Sequence, residues 1–187
     1  MFIRSERLFL RPGWPEDWEE VLHLIDDEMV VRNLSRVPWP YSGDDARAFL
    51  NLPQELRLPR LMVTLPGVNG ARIVGCAGLG GTTEIPELGY WIARDYWGQG
   101  YASEAAKAVL QLARVLGHER IMATHFLDNP ASGRVLEKVG FRRTGRVYER
   151  LSQARDKACP AREYEVVFDA SGDCGNCDDF MRCRRAA

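Results

Sequence analysis

The chain has 187 residues, 45% hydrophobic and 27% charged, with 25 Lys and Arg against 26 Asp and Glu and a formal net charge of -1 at pH 7. That length suits one domain burying about 70% of the surface its unfolded form exposes, and the composition excludes a disordered or low-complexity chain. Near-neutral charge gives no general drive toward nucleic acid, and no apolar run reaches membrane-spanning length, so neither partner is expected.

The opening MFIRSERLFLRP interrupts its apolar residues with Arg4, Glu6, Arg7 and Arg11, so it lacks the apolar core of a secretion signal and a cytoplasmic protein is expected. RLFLRP reads as a first strand. In PEDWEEVLHLID, Trp18, Val21, Leu22 and Ile25 recur at helical spacing behind Pro15. Pro38, Pro40 and Gly43 force a loop before a second helix over 44–50. RLMVTLPG, ARIVGCAGLGG and PELGYWIA, divided by glycine and proline turn signals, read as an antiparallel meander.

YWGQGYASEA then sets Gly98 and Gly100 ahead of a helix whose buried face is Ala102, Ala105, Ala106, Val109, Leu112, Ala113 and Leu116, with Gly117 as its stop. A strand over 120–126 follows, and DNPASGRVLEKVGF reads as a capped short helix ended by Gly140. FRRTGRVYER and REYEVVFD make the last two strands. The order is that of an α+β fold with a mixed sheet, in which only the link from the fourth strand through the long helix to the fifth has the form of a parallel crossover. Arg142, Arg143, Arg146 and Arg150 read as a solvated strand face.

Two glycines one residue apart at a helix start allow a sharp bend beside unpaired N–H groups, which suits a phosphate. A Walker loop is absent, because Gly75–Gly80 is followed by Gly81 and Thr82 without the lysine, and a dinucleotide fingerprint fails at Ser103, where its third glycine would stand. Five cysteines form an odd set, and Cys174, Cys177 and Cys183 crowd the end of the chain, unlike a disulfide framework. With Cys159 they make an incomplete zinc pattern, and no metal is expected.

Taken in order, SERLFLRP, PEDWEEVLHL, ELGYWIARDYWGQGYASEA and DNPASGRVLEKVGF resemble the GNAT superfamily of acetyl-CoA-dependent N-acetyltransferases, in particular the branch that includes the ribosomal-protein N-terminal acetyltransferases. The resemblance covers residues 3 to about 169, so that 1–170 would be the acetyltransferase domain and 171–187 a cysteine-containing tail. It implies a mostly antiparallel twisted sheet of six to seven strands with flanking helices, and a cleft where the fourth and fifth strands splay apart. The family's loop, [RQ]-x-x-G-x-[GA], is met at Gly98 and Gly100, while Asp95 stands where a basic or amide residue often lies.

What the resemblance implies for the site is specific. Acetyl-CoA would be the cosubstrate, its pyrophosphate held by Trp97, Gly98, Gln99, Gly100, Tyr101 and Ala102. A backbone donor at a bulge over Trp91, Ile92 and Ala93 would polarise the thioester, and Asn129 would hold the pantetheine. Glu87 would accept the amine's proton directly or through water, with Glu84 as a weaker alternative. The family's tyrosine acid is replaced by Leu136, which leaves Ser132 as the donor to the departing thiolate. Trp39 and Tyr41 would line the acceptor side. The side chains of Tyr90 and Trp91 read as packing, and His23, His118 and His125 take no role. The implied reaction is direct acetyl transfer to a primary amine, either a protein N-terminus or a small amine, by a monomer or homodimer. An inactive coenzyme A-binding sensor on the same fold is the alternative.

Overall fold

Apolar alternation sets the strands. β1 (Ile3–Arg4), β2 (Phe9–Arg11), β3 (Arg60–Leu65), β4 (Arg72–Gly81) and β5 (Pro86–Ile92) lie side by side in chain order, each antiparallel to the next. The computed structural model, which describes residues 1–68 and 70–168, continues the sheet with β6 (Arg120–Phe126), β7 (Arg142–Ser152) and β8 (Lys157–Val167), in the order β1-β2-β3-β4-β5-β6-β8-β7. Eight strands stand where six to seven were expected. The added one is Ile3–Arg4, only two residues long and made a strand by its pairing with Phe9 and Leu10 rather than by any local periodicity.

Helices cover both faces. α1 (Trp18–Ile25), α2 (Glu28–Val31) and α3 (Gly43–Asn51) pack on one side, α4 (Tyr101–Val115) and α5 (Pro130–Lys138) on the other. Within β3, Leu61 and Val63 join the core under α4 while Met62 joins the core under α1, the two-residue period of a strand buried on both faces. β5 divides likewise: Leu88 and Ile92 face α4, while Trp91 and, just past the strand's end, Ala93 face the first three helices. In α4 the buried face is mostly alanine, Ala105, Ala106, Ala108 and Ala113, which lets the helix lie close to the strands. α2 escaped sequence analysis because four residues are too few to show a period; Asp27 starts it by accepting from the Met29 amide at 2.8 Å.

The sheet has one parallel step, between β5 and β6, joined by α4 as the crossover. Those strands meet at Glu87 and Met122 and part beyond that point, while every other neighbour pair shares a longer register or a hairpin. Arg11 and Asp17 tie β2 to the front of α1 by two parallel bonds of 2.7 and 2.8 Å, with side chains only 7% and 9% exposed. Removing either partner would strand a buried charge, a loss on the order of 3–5 kcal/mol.

Cys174, Cys177 and Cys183 lie outside the described residues, and so does the zinc arrangement drawn from them. Among the described residues, Cys76 and Cys159 are buried free thiols, no three His, Cys, Asp or Glu gather as metal ligands, and no helix is long and apolar enough to cross a membrane.

Candidate active site

Gly98 and Gly100 have φ of 73° and 83°, in the left-handed region where a side chain is strained, and Gly100 is the N-cap of α4. No side chain caps that end, so the first-turn amides point outward without an intrahelical acceptor. A Cβ on Gly98 would meet nothing within 4 Å, and one on Gly100 only Arg7 Nη2 at 3.4 Å. The glycines thus leave the space in front of the uncapped α4 amides open.

The cation at this loop comes from far along the chain. Arg7 donates to the Gln99 carbonyl at 3.0 Å and pairs with Glu104 at 2.8 Å, while its guanidinium lies 4.6 Å from the Tyr101 ring centre. Glu104 sits in the first turn of α4 and also accepts from Ser5 and from the Arg7 amide, both at 2.7 Å. Its charge favours the helix dipole but opposes a phosphate, and Arg7 offsets it. Asp95 is exposed and contributes only its carbonyl, which accepts from Gln99 Nε2 at 3.2 Å.

Where β5 and β6 part, a cleft of ≈ 1100 Å³ opens. Trp91, Ile92, Trp97, Gly98, Gly100, Tyr101, Ala102, Asn129 and Ser132 line it, as do Glu87 and Tyr41. Ala93, Gln99 and Trp39 are not part of that lining, and Glu84 lies in the exposed turn between β4 and β5. The expected bulge is also missing: the β4–β5 register runs unbroken from Gly81↔Pro86 to Gly75↔Ile92, and the Ala93 amide donates to Val74 at 2.9 Å. Strand alternation turns the Tyr90 and Ile92 amides the other way, toward the splay. The Ile92 carbonyl confirms that direction by accepting from Trp97 Nε1 at 2.6 Å.

Glu87 faces the first three helices and is gripped on both oxygens. Arg150 donates from Nη1 to Oε1 at 2.5 Å and from Nη2 to Oε2 at 2.9 Å, and the Thr124 hydroxyl donates to Oε1 at 2.7 Å. Burial pushes the carboxyl upward, but the Arg150 bonds and charge and the Thr124 bond outweigh it, holding Glu87 below the usual carboxylate range. It is ionised at neutral pH and a weak proton acceptor. Arg150 was read in the sequence as part of a solvated face. Arg143 and Arg146 do behave so, pairing with Glu137 and Glu163 at the surface.

On the other face of β5, Tyr90 meets α5. Its hydroxyl lies 2.8 Å from Ser132 Oγ and 3.2 Å from the Ser132 carbonyl. Burial pushes the phenol up to about 12 despite the bond to Ser132, so Tyr90 holds its proton. When that proton is given to Ser132 Oγ, the serine's own proton is free to turn into the cleft. Asn129 caps α5, accepting from the Ser132 amide through Oδ1 at 3.3 Å, and lines the cleft as well. Leu136 is 1% exposed and packs into the core, so the tyrosine-like place is spent on packing.

Sequence analysis missed Arg134 and Lys138, which line the cleft one helical turn apart on α5, although their i, i+4 spacing behind the Asn129 cap was a usable signal. It also missed Tyr90, read as packing. His125 is buried at the cleft wall, with Nδ1 2.7 Å from its neighbour's carbonyl and Nε2 3.4 Å from the Tyr164 hydroxyl.

A mixed sheet split at its parallel step, with a glycine-framed helix start beside the split, is the arrangement of an acetyltransferase of the GNAT fold. The description "Acetyltransferase (GNAT) domain" matches residues 7–142, and the chain belongs to that family. "Uncharacterized N-acetyltransferase YnaD" of Bacillus subtilis (strain 168) is 31% identical over 148 residues, 78% of this chain and 85% of that protein. The acetyltransferase (GNAT family) from Bacillus anthracis superposes with a TM-score of 0.76 at 30% identity, covering 89% of this chain and 98% of its own. RimL, a ribosomal L7/L12 alpha-N-protein acetyltransferase solved with coenzyme A, superposes with a TM-score of 0.75 over 91% of this chain and 99% of its own; at 18% identity the fold is what they share.

Proposed function

We propose that the protein transfers acetyl from acetyl-CoA to a primary amine by direct attack, without an acetyl-enzyme. The observation that carries this is the placement of three elements on one cleft: the Gly98–Gly100 helix start, the Tyr90–Ser132 pair, and the Arg150-bound Glu87. The thioester supplies an activated acyl group; the chain's part is to hold it and to manage charge. Amides from Gly98 to Ala102 take the pyrophosphate, aided by the helix dipole, and Arg134 and Lys138 add positive charge from α5. Asn129 offers Nδ2 to the pantetheine, since its Oδ1 is used by the cap.

The amide of Ile92, rather than that of Ala93, donates to the carbonyl oxygen as negative charge develops there. The amine nitrogen bonds to the acyl carbon, the carbon–sulfur bond breaks, and the amine's proton leaves through water ordered at the ionised Glu87. Ser132 donates a hydrogen bond to the departing thiolate, and Tyr90 orients that donor. Supporting this division, Glu87 and Tyr90 project from opposite faces of β5, so acceptor and coenzyme enter from different sides. The acceptor set includes protein N-termini and small amines. The test is thiol release from acetyl-CoA across a panel of amines: release that requires an amine is expected, and none with any amine would leave only an inactive coenzyme-binding module.

A further inference from the structure

The acceptor side of the cleft is lined by the segment after α2, by the front of α3 and by residues from β5, β6 and β7, and its charges can be accounted for one by one. Three carboxylates face it: Asp45, Glu87 and Asp128. Each is engaged within the chain. Glu87 holds Arg150; Asp128 pairs with Arg155 at 2.7 Å and with Arg32 at 3.1 Å; Asp45 closes the start of α3, accepting from the Ser42 amide at 2.9 Å and its hydroxyl at 2.5 Å. Among the cations, Arg32 and Arg150 are consumed by those pairs, and Arg60 donates to the Leu52 carbonyl at 2.9 Å beside the Phe49 ring.

Arg36 remains. It is exposed, lines the same cleft and makes no ion pair within 4 Å among the described residues, although its charge helps to hold Glu87 below the usual carboxylate range. An acceptor bearing several ammonium groups would find here a single carboxylate without a cationic partner, Asp45, already tied to the Ser42 amide and hydroxyl, whereas one bearing an anionic group would meet the planar donor fork of Arg36. We infer that the acceptor is an α-amino compound carrying a carboxylate close to the reacting amine, a free amino acid or the acidic N-terminus of a peptide, and that Arg36 selects it. The inference rests on the acetyl-transfer reading above.

The amine's chemistry points the same way. Glu87, held ionised by Arg150, cannot readily strip a strongly basic alkylammonium, which titrates near 10.4, while an α-amino group titrates near 7.7 to 8.0 and is partly neutral unaided.

The experiment compares kcat/KM for acceptors matched in size: an amino acid and its amide, an N-terminal peptide with Glu at its second position and the same peptide with Gln, and spermidine. Wild-type protein should prefer the member carrying the carboxylate by about 10- to 100-fold, the range a charge-assisted hydrogen bond supplies. Which pair shows the larger preference separates a free amino acid from a peptide. Arg36→Gln should collapse the preference and Arg36→Glu should turn it toward spermidine. Equal use of charged and neutral members, or a preference untouched by both variants, overturns the inference while leaving acetyl transfer standing. If no amine of any charge is acetylated, the acetyl-transfer reading fails and takes this one with it.

Discussion

Gly100 and Gly117 bracket α4 and permit a controlled test of the phosphate cradle. Their φ angles are 83° and 77°, so alanine at either position carries the same left-handed penalty, about 1–2 kcal/mol. Neither site is crowded: a Cβ at Gly117 meets nothing within 4 Å, and at Gly100 only Arg7 Nη2 at 3.4 Å. For a chain of this size each kcal/mol moves the melting temperature by about 2–4 °C, so both variants should melt about 2–8 °C below wild type without ligand. Acetyl-CoA at about 100 times its dissociation constant stabilises by about 2.7 kcal/mol, a rise on the order of 5–10 °C. Gly117→Ala, at the far end of the helix, should keep that rise. Gly100→Ala should lose most of it, because the amides that would hold the pyrophosphate turn out of line when φ relaxes. A thermal melt of each protein with and without acetyl-CoA reads both numbers. A folded Gly100→Ala protein with the full rise would show that the anion binds elsewhere.

Ser132→Ala and Tyr90→Phe should each lower kcat with little change in the KM for acetyl-CoA, and their double variant should be no slower than Ser132→Ala. The defect should shrink when the acetyl donor is a thioester of a more acidic thiol, whose departure needs less help; a defect independent of the leaving group would make both residues packing. Glu87→Gln should reduce turnover without moving the pH at which the rate rises, since Glu87 is already ionised there and the inflection belongs to the acceptor amine. An inflection that stays fixed while acceptors of different amine pKa are exchanged would restore Glu87 as the titrating base. For stability the direction is set by Glu87 having a lower pKa folded than unfolded: its contribution is present above the unfolded value and is lost as pH falls through the folded one. The melting gap between wild type and Glu87→Gln should therefore close in acid, and a gap that is constant with pH would contradict the assignment.

Features written in local chain were legible. The positive φ of Gly98 and Gly100, the Asn129 cap and the crossover from β5 through α4 to β6 follow from glycine, cap and periodicity signals within a few residues. What the sequence hid was carried by partners distant along the chain. Arg7 reaches a loop 92 positions away, and Arg150 crosses from the edge strand β7 to a carboxylate on β5, 63 positions earlier. Four arginines spaced along one strand look alike until the sheet order decides which meets Glu87. The supposed bulge failed for the same kind of reason: whether Ala93 donates to Val74 or into the cleft depends on register with β4, which no signal in PELGYWIA records. Tyr90 and Trp91 were indistinguishable as strand aromatics, yet alternation sends the first to Ser132 and the second into the core.

The central claim, direct transfer within one cleft, is tested most directly by a single turnover with label in the acetyl group, followed by measurement of where the label resides. The account predicts that label stays with coenzyme A until an amine is added and then appears on that amine in step with free thiol, with none bound covalently to the protein. Label on the protein before the amine is added, or thiol released without acetylated amine, would contradict it.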